Sequence, residues 1–282
     1  PAVKESALWL KGQGFEVDFA PVDEKGFVDV EALGALIRPD TTLVSIMAVN
    51  NEIGSIQPIE AISELLADKP TISFHVDAVQ ALAKIPTEKY LTDRVDFATF
   101  SSHKFHGVRG VGFVYIKSGK KITPLLTGGG QERDYRSTTE NVAGIAATAK
   151  ALRLSMEKLD IFTNKTGQMK SVIRQALLDY PDIFVFSAED DFAPHILTFG
   201  IKGVRGEVIV HAFEDYDIFI STTSACSSKA GKPAGTLIAM GVDKDKAQSA
   251  VRLSLDLEND MSQVEQFLTK LKLIYNQTRK VR

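Results

Sequence analysis

Thr42-Leu43-Val44-Ser45-Ile46-Met47-Ala48-Val49 is the stretch on which the fold turns. It is almost continuously apolar and rich in residues that favour strands. A run of this kind predicts a strand covered on both faces, as in a parallel sheet. The sequence that follows agrees. Pro58 is suited to opening a helix, and Ile59, Ile62, Leu65 and Leu66 then recur at helical spacing. Residues 71–76, 95–100 and 112–116 read as further strands. Strands and helices in alternation predict an α/β fold with a largely parallel sheet and right-handed crossovers.

Working outward, residues 3–10 predict a helix stopped near Gly12 and Gly14. Phe15-Glu16-Val17-Asp18-Phe19 alternates apolar and charged residues, the pattern of a half-buried strand, and 28–37 predicts a second helix. Downstream, the Ala-rich stretch 141–159 reads as a long helix bridging two domains. Beyond it come a helix at 165–178, strands at Ile183-Phe184-Val185-Phe186 and His195-Ile196-Leu197-Thr198-Phe199, and a helix at 207–213. A closing helix at 261–275 carries Val264, Phe267, Leu268 and Leu271 on one stripe. The order is that of a smaller α+β domain. The expectation is a large domain over 1–156 and a smaller C-terminal domain over 157–282 that carries the loop of Cys226. Trp9 and the phenylalanines read as core, and His195 and His211 as packing residues.

Composition narrows the function classes. At 282 residues, 44% hydrophobic and 24% charged, the chain has the mix of a soluble globular protein. A net charge of −3 supplies no broad basic field for nucleic acid. No apolar run is long enough to cross a bilayer, and the first residues lack a signal-peptide layout, so a cytoplasmic location is expected. The single cysteine forms no internal disulfide, and there is no Cys pair or close His pair of zinc-binding type.

Three polar groups follow predicted strands: Asn50-Asn51-Glu52, then Asp77 with Gln80, then Ser101-Ser102-His103-Lys104. Ligands of open α/β sheets sit beyond the carboxyl ends of the strands, so these groups are the candidates for one crevice. A lysine desolvated there has a lowered pKa and a free amine able to form a Schiff base. An aspartate opposite a pyridine nitrogen keeps that nitrogen protonated and makes the ring an electron sink. Ser101 and His103 suit a phosphate. Taken singly, Lys104 reads as a solvated lysine and Asp77 equally well as a helix N-cap; their coincidence at successive strand ends favours a ligand site.

His75-Val76-Asp77-Ala78-Val79-Gln80 followed by Ser101-Ser102-His103-Lys104 resembles the cofactor signature of the class-V aminotransferase group. Asn50-Asn51-Glu52-Ile53-Gly54, Gly128-Gly129-Gly130-Gln131-Glu132-Arg133, Arg136-Ser137-Thr138-Thr139 and Ser224-Ala225-Cys226 narrow the resemblance to cysteine desulfurases. Six motifs stand in order over nearly the whole chain. The resemblance implies the fold of pyridoxal 5'-phosphate-dependent transferases, with helices on both faces of the sheet. It implies that Lys104 carries the cofactor, Asp77 pairs with the pyridine nitrogen and Gln80 with the ring hydroxyl, and that Ser101 and His103 hold the phosphate. Asn51 and Arg252 would bind the substrate carboxylate. Thr139 would reach the phosphate in a neighbouring subunit, which implies a homodimer. The implied substrate is L-cysteine, and the implied partner is a sulfur-acceptor protein serving iron–sulfur cluster, tRNA-thiolation or thiamine pathways.

Cys226 is the expected acceptor of the sulfur. A lone cysteine is ordinarily a small buried hydrophobe. Its neighbours here, Ser221-Thr222-Thr223-Ser224 and Ser227-Ser228-Lys229, are small and polar, which reads as a surface loop. Lys229 and Lys232 would favour the thiolate.

The sequence also departs from the family pattern. A ring-stacking histidine and a Gly-Thr-Glu-type phosphate loop belong ahead of the segment that begins here at Pro1, so the chain reads as a member without the first quarter of the usual enzyme. His106 stands where an aromatic residue is expected, and Asp256-Leu257-Glu258-Asn259 replaces the usual segment after Arg252. The competing expectations are a selenocysteine lyase or an aminotransferase of the same group, the aminotransferase having no use for Cys226, and a binding module without cofactor.

Overall fold

In the computed structural model, which describes residues 2–188, 190–223 and 235–280, two helices precede the first strand. α1 (Ala2–Gly12) ends before Gly14, whose φ of +94° only glycine adopts without strain. α2 (Val30–Leu36) starts at Asp29, whose carboxylate accepts the Ala32 N–H at 2.9 Å. The segment 15–19 between them is not a strand. Phe15 and Phe19 are 60% and 54% exposed, and no strand of the described residues pairs with them. An alternating pattern makes a strand only where a sheet edge receives it.

The run at 42–49 forms β1 (Leu43–Met47). After α3 (Ile59–Leu65) come β2 (Ser73–Asp77) and β3 (Phe97–Ser101), and the three strands lie side by side in parallel. β4 (Gly112–Ile116) returns antiparallel along β3. The expected α/β architecture with a mainly parallel sheet is present, but among the described residues β1 is not covered on both faces. Val44 and Ile46 are buried, whereas Leu43 and Met47 are 51% and 40% exposed. The pleat accounts for this, since residues two apart share a face. One face carries Val44, Ile46, Phe74, Val76, Ala98 and Phe100, all buried. The other carries Ser45, His75, Asp77, Thr99 and Ser101, all half-buried.

The amino ends of β2 and β3 are tied by a buried ion cluster. Asp96, with a side chain only 3% exposed, accepts from the Phe74 N–H at 2.9 Å, Arg94 Nη1 at 2.8 Å and Lys120 Nζ at 3.2 Å. Arg94 also donates to the carbonyls of Leu66, Lys69 and Ile72. Burial pushes the Asp96 carboxyl up, and the bonds from Phe74, Arg94 and Lys120 together pull it down further, so it lies below the ordinary value of 3.8. A depressed carboxylate stabilises the fold above its unfolded pKa, and that contribution is lost as pH falls through the lower folded value. Asp96→Ala is therefore expected to cost about 3–5 kcal/mol at neutral pH, because it leaves buried cations uncompensated. Urea unfolding checks this, and the difference between parent and variant should shrink only below about pH 4.

The C-terminal half is built on a second, antiparallel sheet. α4 (Val142–Met156) is capped by Asn141, and α5 (Leu159–Leu178) follows almost at once, starting earlier than residue 165. Then come β5 (Ile183–Val185), β6 (Ile196–Ile201), α6 (Gly206–Glu214), β7 (Ser221–Thr222), α7 (Gly235–Ala239), α8 (Lys244–Gln248), β8 (Ala250–Ser254) and α9 (Met261–Lys280). The strand order is β5-β6-β8-β7. Leu197, Phe199 and Ile201 of β6 pack with Met169, Ile173 and Leu177 of α5 and with the α9 stripe of Val264, Phe267 and Leu271. Phe213 and Phe267 stack at 4.9 Å, with their planes 9° apart.

Two compact units result. One contains the residues up to Ser6, Arg38–Ala48 and Ile59–Leu159, and so the first sheet. The other contains Ala7–Ile37, Val49–Pro58 and the residues from Asp160 onward. The units are discontinuous in the chain, and one of their boundaries falls between Leu159 and Asp160. Residues 49–58 group with the second unit because Ile53 is buried in a cluster with Phe192, Leu237, Met240, Ala247 and Ala250. Gly54 fits there at φ +86°, where an added Cβ would lie 2.9 Å from Ile196 Cβ.

Several assignments to the interior need correction, those of Phe15, Phe19 and Phe113 among them. Trp9 is 65% exposed and Phe219 79% exposed, so neither is core. His211 pairs on the surface with Glu214 at 2.7 Å, its position on α6 facing outward. His195, by contrast, is buried against Phe162.

Candidate active site

Within the first unit, the carboxyl ends of β2 and β3 bring several of the expected residues to one sheet end. Asp77 closes β2 opposite Thr99, and Ser101 closes β3 two residues further on, about 7 Å along the strand. Asp77 Oδ1 accepts the Val79 N–H at 3.1 Å. The local turn that the sequence offered as a cap therefore exists, and it orients the carboxylate at the strand end. Gln80 is half-buried in the turn that follows.

A tight 3-10 turn over Ser102–Phe105 carries His103 and Lys104. Its two flanking side chains, Ser102 and Phe105, are buried, while His103 is exposed and Lys104 half-buried. Ser102 Oγ lies 2.9 Å from Thr148 Oγ1 on α4, Thr148 donates on to the Gly144 carbonyl at 2.7 Å, and Ser155 donates to the Phe105 carbonyl at 3.2 Å. The Gly107 N–H closes the turn on the Ser102 carbonyl at 2.9 Å, and an added Cβ on Gly107 would fall 1.9 Å from Ser102 Oγ. His106, in the left-handed region at φ 66°, is exposed. The backbone under Lys104 is therefore anchored on both sides, which fixes where its amine starts from.

Behind Asp77 stands a residue to which the sequence reading gave no role. His75, on the same face one pleat earlier, has Nδ1 2.7 Å from Ser45 Oγ on β1 and Nε2 3.1 Å from Thr99 Oγ1 on β3. Burial pushes its pKa down from 6.5, and the nearby Asp77 charge acts the other way. The signal in the sequence was its spacing of two from Asp77 within a strand. Its partners, 30 and 24 residues away in the chain, became visible only with the register. Thr139 is exposed shortly before the Asn141 cap of α4.

The second unit holds the other candidates. Asn50 Oδ1 accepts the N–H groups of Glu52 at 2.8 Å and Ile53 at 3.0 Å, folding residues 50–53 into a turn. Arg252 on β8 is half-buried, paired with Thr198 of β6 and Ser221 of β7, and its Nη1 donates to the Asn51 carbonyl at 2.6 Å. Asn51 and Arg252 are thus brought together. Glu52 and Asn50 have a further job that sequence alone did not suggest. Glu52 Oε2 accepts the Thr236 N–H at 3.0 Å, and Asn50 Nδ2 donates to Thr236 Oγ1 at 3.1 Å. Cys226, with Lys229 and Lys232, lies outside the described residues, between β7 and α7.

Against known proteins, residues 4–267 match the sequence profile of the family described as aminotransferase class-V. The chain belongs to the class-V aminotransferase family. Among its relatives, a NifS/IcsS protein homolog of Lactobacillus delbrueckii subsp. bulgaricus is 50% identical over 96% of this chain and 71% of its own length. The cysteine desulfurase IscS of Clostridium botulinum is 38% identical over 99% of this chain and 71% of its own. A solved NifS-like protein superposes with a TM-score of 0.89 at 38% identity, covering 98% of this chain and 72% of that one. The NifS-like protein from Rickettsia africae superposes with a TM-score of 0.81 at 31% identity, covering 91% and 69%.

Class-V aminotransferases work with pyridoxal 5'-phosphate, and the donor set at the end of the first sheet fits that group. It offers a half-buried carboxylate suited to a protonated ring nitrogen, an amine on an anchored turn, a hydroxyl and an imidazole for a phosphate, and a carboxamide for a ring hydroxyl.

Proposed function

We propose that this class-V aminotransferase is a cysteine desulfurase, converting L-cysteine to L-alanine and passing the sulfur through Cys226 to an acceptor protein. The observation that carries the reading is the pairing of β2 with β3, adjacent parallel strands of which one ends in Asp77 and the other runs into the turn of Lys104. Relatives that bear the name cysteine desulfurase support the choice of reaction.

In this reading Asp77 pairs with the pyridine nitrogen, Gln80 with the ring hydroxyl, and Ser101 and His103 with the phosphate. Lys104 would hold pyridoxal phosphate through its amine. The bound cofactor supplies an electron sink for the carbon next to the substrate amine. Arg252 takes the substrate carboxylate in its guanidinium fork, and Asn51 assists. The bond from Arg252 Nη1 to the Asn51 carbonyl holds the fork in one orientation. The Lys104 amine would move protons at the substrate carbons. Cys226 acts as a thiolate, because the thiol is a poor nucleophile. Its Sγ bonds to the substrate sulfur as the bond from Cβ to sulfur breaks, Cβ takes a proton, and alanine leaves a Cys226 persulfide. In a homodimer, Thr139 would add a hydroxyl to the partner site's phosphate. The protein then acts in the cytoplasm, with iron–sulfur assembly, tRNA thiolation or thiamine synthesis as the sulfur's destinations. Among the described residues no helix is long and apolar enough to cross a membrane.

The test is to incubate the chain with pyridoxal phosphate, L-cysteine and a thiol reductant, and to measure alanine and sulfide together. Equal amounts of both are expected. Alanine without sulfide, or neither product from a chain that holds the cofactor, counts against the reading.

A further inference from the structure

We infer that His75 is a positioning residue for Asp77, its imidazole bridging the hydroxyls of Ser45 and Thr99 to lock three parallel strands together one pleat before the carboxylate. The inference rests on the reading that Asp77 pairs with the pyridine nitrogen. It adds a residue that touches neither cofactor nor substrate.

The geometry is specific. Ser45 pairs with His75 in the register of β1 and β2, while Thr99 pairs with Asp77 in that of β2 and β3. The bond from Nδ1 to Ser45, at 2.7 Å, runs straight across to β1. The bond from Nε2 to Thr99, at 3.1 Å, runs diagonally to the residue directly beside Asp77. Parallel strands already share backbone bonds, so the bridge is not needed to pair them. What it adds is a side-chain tie across β1, β2 and β3 one pleat before Asp77, the last paired residue of β2.

The chemistry of the bridge suits the task. A neutral imidazole has one donor and one acceptor nitrogen, and a hydroxyl serves as either, so both bonds are satisfied without a charge. Asp77 is the only charged side chain that β1–β4 contribute to this face among the described residues. A protonated imidazole would attract that carboxylate and compete with the ring nitrogen for it. The burial that drives the His75 pKa down keeps the ring neutral and leaves the Asp77 charge for the ligand.

The experiment uses pyridoxal phosphate isotope-labelled at its ring nitrogen, bound to the whole chain and observed by NMR. His75→Phe removes both bonds. It is expected to weaken cofactor affinity about tenfold and to move the ring-nitrogen signal toward the unprotonated form. The double variant Ser45→Ala with Thr99→Val keeps the imidazole but removes its partners, should shift the signal the same way, and serves if His75→Phe does not fold. In the unloaded parent, the two His75 ring nitrogens should give one NH-type and one acceptor-type signal at neutral pH. A protonated ring there, or an unchanged signal and affinity in the double variant, overturns the inference. Asp77→Asn separates the two levels. A shift with Asp77→Asn but none with the bridge variants refutes the role of His75 alone. No shift with Asp77→Asn, or no uptake of cofactor by the parent, removes the Asp77 reading and this inference with it.

Discussion

Lys104→Ala takes up no covalently held pyridoxal phosphate, and its production of alanine from cysteine falls at least about a thousandfold. The expectation follows from the turn Ser102–Phe105. Ser102 and Phe105 are buried and tied to Thr148 and Ser155 on α4, so the backbone stays in place when the side chain between them is shortened. Lys104 is half-buried and its loss opens no cavity in the core, so thermal unfolding should shift little. The readout is the visible absorbance that survives dialysis, with mass spectrometry after borohydride reduction to find the modified residue. The parent should be modified at Lys104 and the variant nowhere. Modification of another lysine in the parent would move the site away from the end of β3.

Cys226→Ala separates sulfur transfer from cofactor binding. The variant should keep the parent's visible absorbance, because the residues proposed to bind the cofactor lie elsewhere in the chain. Its joint yield of alanine and sulfide should drop about a hundredfold or more, since a positioned nucleophile is gone. After exposure to cysteine, the parent should carry one additional sulfur atom on the peptide containing Cys226, and alkylation should block it. An aminotransferase would be indifferent to this change. Unaltered turnover in Cys226→Ala would therefore exclude Cys226 as the sulfur acceptor while leaving the family assignment intact.

Much of the candidate site is local in the sequence. Asp77 and Gln80 lie within one short segment after a strand, and Ser101, His103 and Lys104 within another, and strand ends are where an α/β sheet presents its ligands. The helix at 261–275 announced itself by the spacing of Val264, Phe267, Leu268 and Leu271. Phe15 to Phe19 and Trp9 misled for the opposite reason. Hydrophobic pattern states a preference for burial, and only a packed neighbour satisfies it; these side chains remain exposed. His211 misled likewise, an apolar setting in the chain proving to be the outer side of α6.

By itself, then, the sequence determined the α/β class and much of the order of its elements, and pointed to the candidate reactive groups, since these depend on residues close together in the chain. The tertiary structure alone decided which distant residues share a turn, a face or a bond. Residues 49–58 join the second unit because Ile53 finds its core there. Arg252 meets the Asn51 carbonyl across 201 positions, and Glu52 meets Thr236 across 184. His75 finds Ser45 and Thr99 only because β1, β2 and β3 align in one register. Such pairings follow from strand register and packing, which are properties of the folded whole and have no signature in any one segment.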